Sequence, residues 1–157
     1  MGTEPFHWGG DLKDFPMLVE TVFVGRMSGP TLNREETMAA LRWINTVPAR
    51  TPVRSAADAR AQRGKAIFND PTVACATCHT GSLLTNNMTV DVGTAAQFQV
   101  PSLRGLAWRA PFMHDGCAPT LAARFGNRFC DGGDAHGKTS QLRPDQIDDL
   151  VAFLESL

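Results

Sequence analysis

The chain has 157 residues, 43% of them hydrophobic, and a formal net charge of −1. This length can bury one good core or two small ones. The balanced charge gives no reason to expect a nucleic acid or an anionic membrane surface as partner. No apolar run approaches the length of a membrane span, and the first residues, Met1 to Glu4, do not read as a secretory signal peptide.

Two amphipathic helices are predicted in the first third of the chain. The first covers about residues 14–27, with Pro16 near its first turn and apolar residues on one face. The second covers about residues 33–46, where Asn33 and Glu36 have the spacing of a capping box.

A proline-containing linker is predicted next, at residues 48–54, with Pro48 and Pro52 in a short polar run. Two prolines so close together stiffen a chain and interrupt regular structure. We therefore expect a boundary here, with a helical segment at residues 1–47 and a second unit at residues 55–157.

Two further helices are predicted in the second unit. One starts at Ser55, with Asp58 at its third helical position, and the other opens at Pro144, a favourable first helical residue, and runs to the end of the chain. Between them only a short strand or hairpin at Met88 to Val92 interrupts predicted loop.

The most informative motif follows the third predicted helix and reads Cys75-Ala76-Thr77-Cys78-His79. This is C-x-x-C-H, the attachment signature of a c-type haem. Cys75 and Cys78 can each form a thioether with a haem vinyl group, and His79 is then held beside the iron as its proximal ligand. We predict one covalent haem c at this motif.

Three other interpretations of the motif are open. Cys75 and Cys78 could form a structural disulfide. A thioredoxin-like redox pair would need the motif in a βαβ unit, and none is evident. A zinc site would need a second cysteine or histidine pair at close spacing, and Cys117 and Cys130 are too far apart for that.

The remaining two cysteines, Cys117 and Cys130, are predicted to form a disulfide. Haem c is normally attached outside the cytoplasm, in the periplasm of a Gram-negative cell, so we expect an exported protein whose signal has been removed. Disulfides persist in such an oxidising compartment. Two free buried thiols are the alternative.

A weak internal repeat links the two ends of the chain. Pro5–Asp11 parallels Pro111–Cys117, and Leu32–Ile44 parallels Leu142–Leu154 with an offset that differs by a small insertion. We interpret residues 1–47 as the back half of an earlier copy of the same module, without its own C-x-x-C-H. The alternative is two unrelated amphipathic helices with similar caps.

The layout of residues 55–157 resembles a class I cytochrome c, in which a helix precedes the haem motif and another closes the chain. In that fold the two helices cross closely. The resemblance implies that Gly64 lies at the crossing, with Phe68 and Phe153 as aromatic partners. The alternative is a Gly64 that merely weakens an exposed helix.

A more specific resemblance rests on Asp91–Thr94, Phe98–Gly105, Ala110–Gly116 and Thr120-Leu121. These stretches are similar to the second haem domain of the bacterial di-haem cytochrome c peroxidase superfamily, and the likeness covers most of residues 60–157. Those enzymes carry two haems, one for electron transfer and one that meets peroxide. This chain has a single C-x-x-C-H, so a di-haem enzyme cannot be built from it alone.

The expected fold is therefore mainly α: a class I cytochrome c-like haem domain preceded by a partial, haem-less helical copy of the same module. The distal iron ligand is expected in the glycine-flanked loop before the last helix, which makes His136 the first candidate. Met113 is the alternative, His114 and Met88 are further candidates, and an open or water-bound iron is the remaining one.

Other site residues are expected from the same resemblance. Arg104 matches a superfamily arginine near the haem propionates, with an ordinary surface arginine as the alternative. Trp108 and Phe112 are expected to wall the haem pocket. Calcium occurs between the haems of the superfamily, and Asn86 and Asn87 lie in about the corresponding region.

Three functions are open at this point. The first is one-electron transfer between this haem and a redox partner protein. The second is a di-haem peroxidase or oxidase whose second haem comes from a missing segment or another chain. The third is an interaction module in which the haem mainly holds the fold together.

Overall fold

The computed structural model describes residues 2–126, 130 and 132–157. The fold is mainly helical, and the described residues form five α-helices in chain order: α1 (Phe15–Leu18, continued by π-helical Val19–Arg26), α2 (Arg34–Thr46), α3 (Ala59–Phe68), α4 (Leu121–Gly126) and α5 (Pro144–Leu154). Three single-turn 3₁₀ helices lie between them: Cys75–Thr77, Leu106–Trp108 and Gly133–His136. The strands β1 (Thr89–Asp91) and β2 (Gln97–Gln99) form an antiparallel hairpin.

The first two helices lie where the sequence predicts them, because side chains satisfy the free N–H groups of their first turns. The Asp14 carboxylate accepts a hydrogen bond from the Met17 N–H at 2.9 Å. At the start of α2, Asn33 accepts from the Glu36 N–H at 3.0 Å and Glu36 accepts from the Asn33 N–H at 2.8 Å. This reciprocal pair is a complete capping box.

Helix α3 begins at Ala59, four residues after the predicted start at Ser55. The Asp58 carboxylate accepts hydrogen bonds from the N–H groups of Arg60 and Ala61, at 2.8 and 3.3 Å. Asp58 is therefore the N-cap rather than a residue of the first turn. Ser55 instead closes a turn by accepting from the Ala57 N–H at 3.1 Å, so the sequence-based boundary was wrong.

Helices α3 and α5 cross in close contact at Gly64. A Cβ atom on Gly64 would lie 1.9 Å from the Asp149 carbonyl oxygen, well inside van der Waals contact. Beside the crossing, the rings of Phe68 and Phe153 pack with centroids 5.0 Å apart. The hydrophobic core lies around this contact. Its buried residues are Phe68, Leu103, Leu121, Leu150, Phe153 and Leu154.

A bidentate ion pair closes the outer side of the same crossing. Arg63 donates to the two carboxylate oxygens of Asp149 at 2.6 and 2.8 Å. Asp149 is only 7% exposed, and the Arg63 guanidinium beside it lowers the pKa of that carboxyl. Arg63, next to Gly64, therefore holds together the two helices that Gly64 allows to approach.

The segment before residue 48 packs on the hairpin. The backbone N–H of Gln99 donates to the Trp8 carbonyl at 2.8 Å, and its side-chain amide donates to the Thr3 carbonyl at 2.9 Å. Residues 48–54 have no regular secondary structure. They are nonetheless anchored, since Arg54 donates to the Glu155 carboxylate at 2.8 Å.

The repeated sequence Pro5–Asp11 and Pro111–Cys117 takes the same backbone form in both places. Each copy closes a small loop by a two-residue bridge, Phe6 with Leu12 and Phe112 with Ala118. The first N–H of each bridge donates to its partner carbonyl at 2.7 Å. In both loops the residue after the phenylalanine has a left-handed backbone, with φ of 76° at position 7 and 70° at position 113.

Within the described ranges, no helix combines the length and apolar character that crossing a membrane requires.

The two interpretations of Gly64 predict opposite changes in the free energy of unfolding when an alanine replaces it. Gly64→Ala is expected to reduce the free energy of unfolding by about 1–3 kcal/mol, because the added methyl group forces α3 and α5 apart. If the glycine merely weakened an exposed helix, the same change would stabilise the protein by about 1 kcal/mol. Urea unfolding of the haem-loaded protein distinguishes them.

Lys65→Ala is the matched control, since Lys65 is exposed on the same helix and its loss should change stability by less than about 0.5 kcal/mol. A Gly64→Ala protein as stable as the wild type would contradict the close crossing.

Candidate functional site

A cavity of about 540 Å³ lies between the α3–α5 core, the C-x-x-C-H turn and the hairpin. Its volume is in the range of about 300–1,000 Å³ that is usual for cofactor sites. Most of its wall is apolar, including Phe68, Val100, Leu103, Phe112, Leu121 and Leu154. A largely apolar, partly open cavity of this kind suits a flat hydrophobic cofactor.

The three fixed residues of the motif all line this cavity. Ala74 turns the chain with a left-handed backbone (φ 66°), and the following 3₁₀ turn places Cys75 and Cys78 on the cavity side. Both thiols are free, so the structure has no Cys75–Cys78 disulfide. Burial raises the pKa of the Cys75 thiol.

His79 presents one ring nitrogen to the cavity because its other ring nitrogen is engaged. Its Nδ1 lies 3.2 Å from the Leu84 carbonyl oxygen. A carbonyl only accepts, so Nδ1 carries the proton and Nε2 keeps its lone pair. Burial lowers the pKa of His79. The neutral form of the ring is therefore favoured at pH 7, with the Nε2 lone pair free.

The His136 ring lies across the cavity from His79. The two ring centroids are 6.4 Å apart and the ring planes differ by 35°. A metal–imidazole bond is about 2 Å and a ring centroid lies about 1.1 Å from each ring atom, so two imidazoles on opposite sides of one metal have centroids about 6 Å apart. Burial lowers the pKa of His136 to about 3, so this ring is also neutral.

Two buried polar atoms in the cavity wall lack hydrogen-bond partners in the described part of the chain. They are Nδ1 of His136 and Oγ1 of Thr94. Buried polar atoms are almost always satisfied in native structures. Both atoms expose almost no surface, so they lie behind the wall rather than facing the cavity. The features that fit a haem are the apolar wall, the two free thiols and the two facing imidazoles.

Glycines hold the loop of His136 against the haem motif. Gly132 has φ of 67°, and a Cβ there would lie 1.9 Å from the Val92 carbonyl oxygen. Gly137 packs so closely that its Cβ would lie 3.3 Å from the Cys75 sulfur. Next to it, the Lys138 N–H donates to the Val73 carbonyl at 2.9 Å.

The other candidate distal ligands are arranged differently. Met113 lines the cavity. His114 also lines it, but its ring stacks on Phe98 with centroids 4.0 Å apart. Met88 lies outside the cavity wall and is 59% exposed.

Two residues expected at the haem lie elsewhere in this structure. The Trp108 side chain is 49% exposed, donates to the Thr51 carbonyl at 3.0 Å and lies under the Arg50 guanidinium. The expectation that it walls the pocket was wrong, because the left-handed turn at Gly105 (φ 64°) directs it outward. Arg104 is exposed and donates to the Ser82 carbonyl at 2.6 Å, away from the cavity wall.

Two other arginines, Arg109 and Arg124, line the cavity instead. Arg109 donates to the Ser102 carbonyl, and burial lowers its pKa. Arg124 is 8% exposed. Sequence reasoning missed both, because no motif distinguishes them from surface arginines.

The remaining predicted site residues lie beside the cavity. Cys117 and Cys130 form a disulfide with Cα atoms 5.6 Å apart. Asn86 and Asn87 are engaged locally, as Asn86 accepts from the Met88 N–H at 3.1 Å and Asn87 donates to the Gly2 carbonyl at 3.2 Å. Across the described residues, no three His, Cys, Asp or Glu side chains converge on a bare metal ion.

The sequence profile of the family described as cytochrome c matches residues 61–157. The chain belongs to the cytochrome c family. The family implies a covalently attached haem c, which the free thiols and neutral histidines of the cavity fit.

Curated relatives confirm the likeness to the di-haem cytochrome c peroxidase superfamily. The chain is 28% identical over 143 residues to hydrazine synthase subunit gamma of Kuenenia stuttgartiensis (61% of this chain, 40% of the relative). It is 32% identical over 128 residues to methylamine utilization protein MauG of Methylorubrum extorquens (66% and 36%). It is 29% identical over 130 residues to cytochrome c peroxidase Ccp of Escherichia coli (66% and 26%).

The chain thus spans less than half the length of these relatives. Among solved structures, hydrazine synthase of Kuenenia stuttgartiensis, pressurized with xenon, matches with a TM-score of 0.87 at 22% identity. The match covers 98% of this chain and 68% of that chain. It shows that residues 1–47 and the haem domain share one fold with a known protein.

The geometry of the two thiols gives a direct test of haem attachment. The double variant Cys75→Ala/Cys78→Ala is expected to carry no covalent haem, since both thioether bonds are lost. The check is haem staining of a denaturing gel together with the intact mass. Thr77→Ala, inside the same pentapeptide, is the control and should keep its haem; a stained band from the double variant would contradict this assignment.

Proposed function

We propose that this chain is an electron-transfer cytochrome with a single haem c ligated by His79 and His136. The observation that carries the proposal is the 6.4 Å separation of the two imidazole rings across the cavity. A bound haem supplies reversible one-electron chemistry between ferric and ferrous iron. The protein's part is to attach the haem, ligate it from both sides and keep water away.

The two histidines determine what kind of haem chemistry this site favours. His79 and His136 would hold the iron from both sides, which would leave peroxide no place to bind to it. Bis-histidine ligation also lowers the reduction potential relative to histidine–methionine ligation. Both effects favour simple electron transfer over chemistry on a bound substrate.

The haem propionates are proposed to lie near Arg109 and Thr94. Arg109 lies in the cavity wall, and a guanidinium suits a carboxylate as a forked donor. Thr94 also lines the cavity, and its hydroxyl would donate to a propionate after rotating toward it. On this proposal Arg109 takes the role that the family resemblance assigns to Arg104.

The setting follows from the cofactor. We propose an exported, periplasmic protein, because haem c is attached there and the Cys117–Cys130 disulfide suits an oxidising compartment. Its partner would be another redox protein that exchanges single electrons.

The distal ligand is tested by His136→Ala. Losing one imidazole is expected to convert a low-spin six-coordinate haem into a high-spin one that binds added imidazole and returns to low spin. Optical and electron paramagnetic resonance spectra of the purified protein measure this.

Two further variants make the result specific. His7→Ala is the matched control, because His7 bonds to Asp11 at 2.7 Å outside the cavity wall. Met113→Leu tests the alternative ligand. A low-spin His136→Ala protein, or loss of low-spin character on Met113→Leu, would transfer the ligand role away from His136.

A second candidate function, part of a di-haem peroxidase or oxidase, is favoured by one observation. Trp8 and His114 hold equivalent positions in the two repeated loops, and their ring centroids are 6.5 Å apart. Both rings also line the haem cavity. The first loop therefore lies where a preceding module, with a haem of its own, would meet this one.

Haem stoichiometry separates the two functions. Electron transfer by this chain predicts one haem per polypeptide and no catalytic reduction of hydrogen peroxide by a reduced donor. Pyridine haemochrome analysis and a peroxide-turnover assay measure these quantities. A second haem in the purified complex, together with turnover that the Cys75→Ala/Cys78→Ala variant lacks, would favour the di-haem function.

A further inference from the structure

We infer that Arg124 is a positioning residue for the haem: its guanidinium anchors the loop that carries His136, and its fixed charge favours the reduced iron. The inference rests on the proposed bis-histidine haem and extends it to a residue outside the ligand set. Arg124 is a buried cation that neither the C-x-x-C-H motif nor the match to the cytochrome c family singles out.

Arg124 occupies an apolar position of its helix. In α4 it shares one face with Leu121 and Phe125, at the i, i+3, i+4 spacing. Leu121 belongs to the buried core, and Phe125 packs against it. Arg124 is 8% exposed on the same face and lines the cavity. Burying a guanidinium there is costly, so a plain packing role would suit an aliphatic residue better.

The guanidinium contacts the distal loop directly. Its Nη2 donates a hydrogen bond to the backbone carbonyl of His136. The His136 loop otherwise depends on tight glycine contacts and on the Lys138 N–H bond to the Val73 carbonyl. The Arg124 bond acts on the ligand residue itself, so losing it frees the imidazole to leave the iron more often.

The charge of Arg124 also acts on the whole iron site. Its guanidinium lines the cavity wall and contacts the backbone of His136, so a buried cation lies next to the proposed iron site. A cation in this position disfavours ferric iron, because ferric iron carries one more positive charge than ferrous iron. In a largely apolar cavity this interaction is weakly screened. The charge therefore raises the reduction potential that bis-histidine ligation lowers.

Of the side chains that the structure describes, three other charged ones line the cavity and can be compared with Arg124. Arg109 and Lys138 are cations in the wall, and Asp134 is an anion. Asp134 is engaged by Ser140, whose N–H and hydroxyl donate to it at 3.0 and 2.6 Å. Among the described residues of the wall, Arg124 alone combines burial with a bond to a proposed iron ligand.

Two variants of the haem-loaded protein distinguish the effect of the charge from the effect of the hydrogen bond. Arg124→Met removes the charge and the hydrogen bond, whereas Arg124→Lys keeps the charge and loses the guanidinium fork. We expect Arg124→Met to shift the ferric–ferrous equilibrium at least tenfold toward ferric iron, which is about 59 mV for one electron. Arg124→Lys should move it by less than half of that.

Carbon monoxide binding to the ferrous haem reports the anchoring role, since the gas must displace His136. Both variants are expected to bind it at least tenfold faster than the wild type, measured by flow mixing. Arg42→Met is the matched control, because Arg42 is exposed on α2, and it should change neither quantity.

The outcomes distinguish this inference from the proposed function. A wild-type haem that is not low-spin and six-coordinate removes the bis-histidine site itself. A low-spin wild type with an unchanged potential in Arg124→Met, or unchanged carbon monoxide kinetics in Arg124→Lys, overturns the role of Arg124 alone. The lysine variant keeps the anchoring role testable if the methionine variant does not fold.

Discussion

The close crossing of α3 and α5 at Gly64 is the constraint on which the haem site depends. The C-x-x-C-H turn follows α3 after a short stretch, and the His136 loop lies shortly before α5. Because the two helices are fixed against each other, the start of the C-x-x-C-H segment and the end of the His136 loop are fixed as well. No contact between His79 and His136 themselves is needed to place them 6.4 Å apart.

The apolar wall of the cavity and its few charges act in opposite directions on the iron. Burial keeps His79 and His136 neutral, and so able to ligate, because it disfavours the charged imidazolium. With the proposed bis-histidine ligation, two nitrogen ligands would stabilise the ferric state, whereas the charge of Arg124 would destabilise it. The reduction potential of such a haem depends both on the type of iron ligand and on nearby buried charge. A sequence motif gives information only about the ligand.

The sequence predicts what short-range chemistry determines. The C-x-x-C-H motif and the Asn33 capping box depend on fixed spacings, so they can be read from the residues alone. Trp108 could not be placed in this way, because a single left-handed residue at Gly105 decides which side of the chain its ring faces. Arg124 was missed because a short helix carries too few residues to show which face is buried.

The similarity of the two loops suggests why residues 1–47 lie beside the cytochrome c domain. The first loop has the same bridge and the same left-handed residue as the second, yet its Trp8 lines the cavity of the second module. A segment that only linked two domains would have no reason to keep this form. Through Trp8, the first loop contributes to the wall of the cavity in which the haem is proposed to bind.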